Sequence, residues 1–369
     1  MLKTERLAIF ITDLSGGGAE RVIANLACGL VGLGYPVDFV LVHKRGAFLD
    51  LLPAEVNVVD LHGRSPIQSV AKLVKYLRAS RPAALLSALN QPNVAAVLAK
   101  RLAGVDTRVV ISIHNNLAEE AAWTPNLKRR LMPAFARAFF PKADAIVAVS
   151  EHSATENATF LGLAPDRIRV VANPVVTPSL FENAAKPCDH PWLAPGEPPV
   201  ILGIGRLTRQ KNFGMLIEAF AKIAPKTDAR LLILGEGDDR NALEAQLERL
   251  DLRSRVELPG FVPNPYAYLA RARIFALSSL WEGLPTVLIE SLAAGTPVVS
   301  TQCPSGPKEI LENGKYGRLC PVDDADVFAE QLLAELSTEK KAPPREAYAR
   351  YELQPVAEDY IKVLLPLAS

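Results

Sequence analysis

Two stretches of alternating short apolar runs and amphipathic segments, separated by a proline-crowded interval, constrain this chain more than any other feature. Leu7–Ile11, Val37–Val42, Ala84–Ser87, Val109–Ile113 and Ala145–Val149 are short and almost wholly apolar, as strands buried on both faces require. Between the first two, Ala19–Leu33 places Val22, Ile23, Leu26, Ala27 and Leu30 at helical spacing and stops at Gly32 and Gly34. Strands alternating with helices specify a parallel sheet, because parallel neighbours need a crossover between them. From 173 to 200 the rhythm stops. Pro174, Pro178, Pro187, Pro191, Pro195, Pro198 and Pro199 each fix φ and remove a donor, which predicts an extended linker. The alternation then restarts. Val200–Gly203, Arg230–Leu234, Ile274–Leu277 and Pro297–Ser300 read as strands, and Phe213–Lys222, Arg240–Leu250 and Pro285–Ala294 as helices. Tyr351–Leu365 has helical spacing and is expected to pack back on the first half.

The 369 residues therefore divide into two Rossmann-like α/β domains, 1–180 together with a C-terminal helix at 350–369, and 181–349. Each is of a size that supports one core. With 49% hydrophobic and 22% charged residues, neither half has the composition of a disordered chain. Net charge is +1, the first half leaning basic and the second acidic, far too little to argue for a nucleic-acid partner. Cys28, Cys188, Cys303 and Cys320 form no C-x-x-C pair, which argues against a zinc site or disulfide framework and fits a reducing cytosol. The run Leu7–Ile11 is too short for a signal peptide, and no stretch reaches the length of a membrane span. The expected location is cytoplasmic, with any membrane role peripheral.

Three loops carry the chemistry. Ser15-Gly16-Gly17-Gly18-Ala19-Glu20-Arg21 follows the first strand and opens a helix. Its glycines allow close backbone approach, and free amides at a helix start favour an anion. A nicotinamide site would want G-x-G-x-x-G and an acid closing the second strand, but that strand ends in His43-Lys44-Arg45. Gly203-Ile204-Gly205-Arg206-Leu207-Thr208-Arg209-Gln210-Lys211-Asn212 puts Arg206 and Lys211 in one loop, where two cations can stabilise a departing diphosphate; a solvated basic loop is the plainer alternative. In Trp281-Glu282-Gly283-Leu284-Pro285-Thr286-Val287-Leu288-Ile289-Glu290, Pro285 suits the first helical position, and the amides of Thr286, Val287 and Leu288 would face a phosphate. Glu282 and Glu290 are better acceptors for sugar hydroxyls than ligands for phosphate, which they repel. The alternative is a dipole-complementing acid and a surface acid.

Ser153 and Glu156 have capping-box spacing. Asp324-Ala325-Asp326 imitates a D-x-D metal site, but in an acidic run at a helix start solvated acids are expected there, and no metal is expected. Trp123 to Lys142 interleaves Lys128, Arg129, Arg130, Arg137 and Lys142 with Leu131, Met132, Phe135, Phe139 and Phe140, without an acid and interrupted by Pro125, Pro133 and Pro141. That profile suits an anionic membrane surface, or a core-packed helix with a basic outer face.

The segment Glu282–Glu290 resembles the E-x7-E motif of the family-four retaining glycosyltransferases, which have the GT-B fold. The resemblance runs through nearly the whole chain: Gly-Gly-Gly-Ala-Glu-Arg near the start, Gly-Arg-Leu with a following Lys-Asn, Leu-Gly-Glu-Gly, the acidic segment, and Thr296-Pro297-Val298-Val299-Ser300 stand in that family's order. It implies that Arg206 and Lys211 bind the donor diphosphate, Glu290 the ribose and Glu282 the transferred sugar. Gly205 and Gly283 to Leu288 would add backbone contacts. Gly235 and Gly237 would lie beside the nucleotide, Phe261 and Val262 at the base, and Gly17 and Gly18 on a loop closing over the donor. His114 resembles the family's active-site histidine; without that context a lone histidine is more often structural. Glu20, Ser150 and Asn173 are expected near the acceptor side. The resemblance implies retaining transfer by front-face attack, with no cofactor and no protein nucleophile. The donor is expected to be a UDP-sugar. Cys303-Pro304-Ser305-Gly306-Pro307-Lys308-Glu309-Ile310 resembles relatives that add N-acetylhexosamine to glycans or polyprenyl-linked saccharides at the inner membrane face. A GT-B epimerase, hydrolase or phosphorylase, or a non-catalytic nucleotide-sugar-binding protein, are the rival readings.

Overall fold

The computed structural model describes residues 3–15, 17–114, 117 and 132–366. They form two units, Met1–Val175 with Tyr351–Ser369, and Val176–Arg350.

The first unit is built on β1 (Leu7–Ile11), β2 (Val37–Leu41), β3 (Asn57–Asp60), β4 (Ala84–Ala88), β5 (Arg108–Ile113), β6 (Ala145–Ala148) and β7 (Ile168–Val170). These pair in parallel in the order β3-β2-β1-β4-β5-β6-β7. The apolar runs are strands because both faces are covered. Ile9, Ile11 and Leu86 lie in one core with Leu26 and Leu30 of α1 (Gly18–Gly32). Phe10 and Val109 lie in the other with Leu73 and Leu77 of α2 (Val70–Ser80) and Val94 and Val97 of α3 (Asn90–Ala103). α4 (Met132–Phe139) and α5 (Glu151–Leu161) complete the described helices before β7.

The second unit carries α6 (Pro178–Ala185), then β8 (Val200–Ile204), α7 (Phe213–Ile223), β9 (Arg230–Leu234), α8 (Arg240–Arg249), β10 (Val256–Gly260) and α9 (Pro265–Arg271). It continues through β11 (Ile274–Leu277), α10 (Thr286–Ala293), β12 (Val298–Thr301), α11 (Pro307–Ile310), β13 (Arg318–Cys320) and α12 (Ala325–Leu336). Its parallel sheet runs β10-β9-β8-β11-β12-β13. α13 (Leu353–Leu364) then returns to the first unit. It packs on α1 so closely that a Cβ at Gly29 would stand 2.9 Å from Ala357 Cβ, and the Arg108 guanidinium donates to the Val363 carbonyl at 3.0 Å. Tyr360 is fully buried in the same core.

Three local expectations are corrected. The prolines of 173–200 do not make one extended linker: Pro178 opens α6 and Pro191 a short 3-10 turn, because a proline's fixed φ and missing N–H cost nothing in a first helical turn. Ser153 does not cap a helix. Ser150 does so one turn earlier, its Oγ accepting from the Ser153 N–H at 3.1 Å. Pro285 is the residue before α10, with φ −71° and ψ 89°, rather than its first helical residue.

Candidate active site

In each sheet the strand order reverses beside the first strand, between β1 and β4 and between β8 and β11. Loops leaving the carboxyl ends of strands at such a reversal splay apart, and open α/β sheets bind ligands there. In the second unit those loops are Gly205–Asn212 after β8 and Ser278–Pro285 after β11.

The two loops are tied to each other by backbone and side-chain hydrogen bonds. Leu280 N–H donates to the Gln210 carbonyl at 2.8 Å, and Gln210 Nε2 to the Trp281 carbonyl at 2.9 Å. Ser278 Oγ donates to the Lys211 carbonyl at 2.7 Å. Lys211 Nζ thereby reaches Glu282 Oε1 at 2.5 Å, and Ser279 Oγ donates to the same oxygen at 2.6 Å. Both charged side chains are largely withdrawn from solvent, where such a pair survives only with good geometry and further hydrogen bonds. Ser279 is itself held, its carbonyl accepting from Thr301 Oγ1 at 2.7 Å. Burial, and then the charge of Glu282, push the nearby Cys303 thiol up to about 12. Arg206 is exposed on the same loop.

Gly205 closes this loop on Lys211, whose stem lies 3.0 to 3.2 Å from where a Cβ would stand. Gly235, at φ +135°, abuts the Gly205 carbonyl, and Gly237 the Leu207 carbonyl; a side chain at either would collide with backbone. These glycines let the chain after β9 lie directly on the chain after β8, and Leu207 N–H donates to the Glu236 carbonyl at 2.9 Å. Next along the edge, Phe261 is 78% exposed after β10 and Val262 is half-buried beside it. On α10, Glu290 is buried, which overturns its alternative reading as a surface acid. Gly283 and Leu284 are half-buried in the approach to that helix. Leu288 N–H donates to the Pro285 carbonyl at 3.0 Å, so of the three amides expected to face a phosphate only those of Thr286 and Val287 precede the helix's first internal bond.

Asp324 and Asp326 have structural partners. Asp324 Oδ1 accepts from the Val327 N–H at 3.0 Å as the cap of α12, and Asp326 pairs with Lys222.

In the first unit, Gly17 caps α1 and Gly18 begins it, and the Glu20 carboxylate lies where a Gly17 side chain would go; Gly16 lies outside the described residues. His114 directly follows β5 and is buried. Its Nε2 stands 3.1 Å from Ser112 Oγ, and its Nδ1 has no partner among the described residues. Burial holds its pKa down to about 4, which favours the neutral ring. Ser150 is committed as a cap. Asn173 is buried with Oδ1 unpartnered among the described residues.

Sequence reasoning passed over Ser278, Ser279 and Thr301. The signal for the two serines was a pair of small hydroxyl residues directly after an apolar strand; Thr301, inside β12, had none.

A profile for glycosyltransferase family 4 matches residues 16–177, and one for glycosyl transferases group 1 matches residues 189–352. The chain is 30% identical to a Campylobacter jejuni N-acetylgalactosamine-N,N'-diacetylbacillosaminyl-diphospho-undecaprenol 4-alpha-N-acetylgalactosaminyltransferase, over 98% of this chain and 100% of that one.

The chain belongs to the family-four glycosyltransferases.

A second C. jejuni protein, a GalNAc-alpha-(1->4)-GalNAc-alpha-(1->3)-diNAcBac-PP-undecaprenol alpha-1,4-N-acetyl-D-galactosaminyltransferase, is 27% identical, with 97% of this chain and 98% of that one covered. The crystal structure of Anabaena HepE in complex with UDP shares the fold, with a TM-score of 0.79 and 21% identity over 99% of this chain and 100% of that one. This family-four glycosyltransferase thus has the GT-B architecture of two Rossmann-like units, with α13 closing the first against α1. It is a nucleotide-sugar-dependent transferase.

Proposed function

We propose that this glycosyltransferase moves a sugar, with N-acetylhexosamine the favoured class, from a UDP-sugar to a glycan or polyprenyl-linked saccharide with retention of configuration. The observation that carries the reading is the Lys211–Glu282 pair at the strand-order reversal, a cation and a hydroxyl acceptor within one hydrogen bond of each other. Lys211 and Arg206 stabilise the leaving diphosphate, and the amides of Thr286 and Val287 add helix-start donors. Glu282 orients the transferred sugar and Glu290 the ribose. The departing phosphate oxygen takes the acceptor proton, so no protein nucleophile enters. The choice of UDP is supported by the ligand of HepE. The sugar and acceptor class are supported by the names of the two C. jejuni relatives.

Acceptors on polyprenyl carriers sit at a membrane, and the reading places the protein peripherally on the inner face. No described helix is long and apolar enough to cross a membrane. Of the basic aromatic segment only 132–142 is described; residues 118–131, with Trp123, Lys128, Arg129, Arg130 and Leu131, lie outside the described residues. Within it Phe135 is exposed, and Lys142 Nζ lies over the Phe139 ring.

The test is a thermal-shift panel of UDP, GDP and ADP with their sugars. A ligand confined to the folded state adds about 2.7 kcal/mol at about 100 times its Kd. UDP and a UDP-sugar should raise Tm while GDP and ADP do not; an equal shift by all three bases sinks the choice of UDP. Transfer from the bound UDP-sugar to a lipid-linked acceptor completes the test, and donor hydrolysis or epimerisation without acceptor would count against it.

A further inference from the structure

Between β12 and α11 the chain turns through Cys303, Pro304, Ser305 and Gly306. Ser305 and Gly306 both have positive φ, 64° and 99°. Glycine takes that conformation freely, whereas a serine there is strained. Ser305 is only 6% exposed, and its Oγ has no hydrogen-bond partner among the described residues. A buried hydroxyl without a partner is a second, independent cost. Glycine at this position would remove both penalties and alanine would remove one, so the turn by itself gives no reason for a serine.

The surroundings supply a reason. Glu282 N–H donates to the Pro304 carbonyl at 3.3 Å. Gly306 packs so tightly on Pro285 that a side chain there would collide with the proline ring, and the Gly283 carbonyl is within 3.6 Å of the same point. The strained turn is therefore braced against the segment Glu282–Pro285. Strain and unmet hydrogen bonding that persist beside a binding loop mark a ligand contact.

We propose that Ser305 is a donor-binding residue whose hydroxyl bonds a polar group of the transferred sugar, a ring hydroxyl or the acetamido group. The proposal rests on reading Glu282 as the acid at that sugar. A serine hydroxyl both donates and accepts, and one already stripped of water and protein partners gains most from a ligand that supplies the missing bond and rejects one that lacks it.

Calorimetric titration of the full chain with UDP, UDP-N-acetylgalactosamine and UDP-glucose tests this, in wild type, Ser305→Ala and Ser305→Gly. The expected result is unchanged UDP affinity in both variants, with affinity for the sugar nucleotide preferred by wild type reduced about tenfold. Ser305→Gly should also raise Tm, since it relieves both costs, and this keeps the test readable if alanine disturbs the turn. Equal affinity of wild type and both variants for that sugar nucleotide overturns the proposal, as does an equal loss for UDP and its sugars. Failure of wild type to bind UDP or either sugar overturns the donor reading itself, and this proposal with it.

Discussion

Lys211 Nζ stands 2.5 Å from Glu282 Oε1, and Ser279 Oγ donates to the same carboxylate oxygen at 2.6 Å. On the proposed reading both partners have second employers: Lys211 a phosphate oxygen, Glu282 a sugar hydroxyl. The pair then keeps each group ordered and charge-balanced until the donor supplies replacements, so little reorganisation is left for the transfer step.

Removing one partner should expose this double role. Lys211→Ala leaves Glu282 buried without its cation, at a cost of about 3 kcal/mol, and should lower kcat by about 100-fold or more. Lys211→Met with Glu282→Gln removes both charges and should recover most of the stability in urea denaturation without recovering transfer. Activity returning along with stability would sink the diphosphate assignment.

The glycine contacts predict two very different costs. Gly235→Ala drives a methyl group into the Gly205 carbonyl at φ +135° and should cost about 3 kcal/mol or more in chemical denaturation. Gly104→Ala shares a positive φ, +63°, but outside its own stretch of chain no atom lies within 4 Å of the new carbon. It should cost about 1 kcal/mol.

His114 makes stability depend on pH. Its pKa is about 4 when folded against an ordinary 6.5, so the unfolded chain binds a proton more readily. The contribution is complete above pH 6.5 and is lost as pH falls towards 4, about 3 kcal/mol in all. Between pH 7.5 and pH 5 about 2 kcal/mol of that is lost, so denaturation curves at the two pH values should diverge by about 2 kcal/mol more in wild type than in His114→Gln. A pH dependence unchanged in the variant refutes this account.

On the proposed reading, membrane contact is separable from transfer. Sedimentation with phosphatidylglycerol vesicles should pull down the protein, neutral vesicles should not, and salt should weaken the effect. Phe135→Ser with Lys142→Glu should reduce binding several-fold while leaving transfer to a soluble acceptor unchanged. Retention by neutral vesicles alone would contradict an electrostatic surface.

Much of the fold was legible because continuous apolar runs admit few alternatives: Arg230–Leu234 and Ile274–Leu277 are strands to the residue. Polar ends were harder. β5 begins at Arg108 rather than Val109, since the arginine's distant partner, the Val363 carbonyl, leaves no local trace. Ser150 and Ser153 are the same residue type one turn apart, and only backbone geometry decides which caps. The loops bearing Lys211 and Glu282 stood out by their glycines, charges and helix-start proline. That the two side chains meet across 71 positions depends on β8 and β11 being neighbours, a matter of strand order that local patterns do not encode. The strain at Ser305 is likewise invisible in a sequence where serine is an ordinary turn residue.

The return of α13 to the first unit has a consequence for how the protein is made. During synthesis the whole of the second unit, Val176–Arg350, is translated before residues 353–364 are. The first unit meanwhile waits with Leu26, Ala27 and Leu30 of α1 lacking the Val356, Ala357 and Tyr360 that share their core. Maturation therefore runs against the order of translation: the half begun first is finished last, and until then it presents an apolar face that chaperones can recognise.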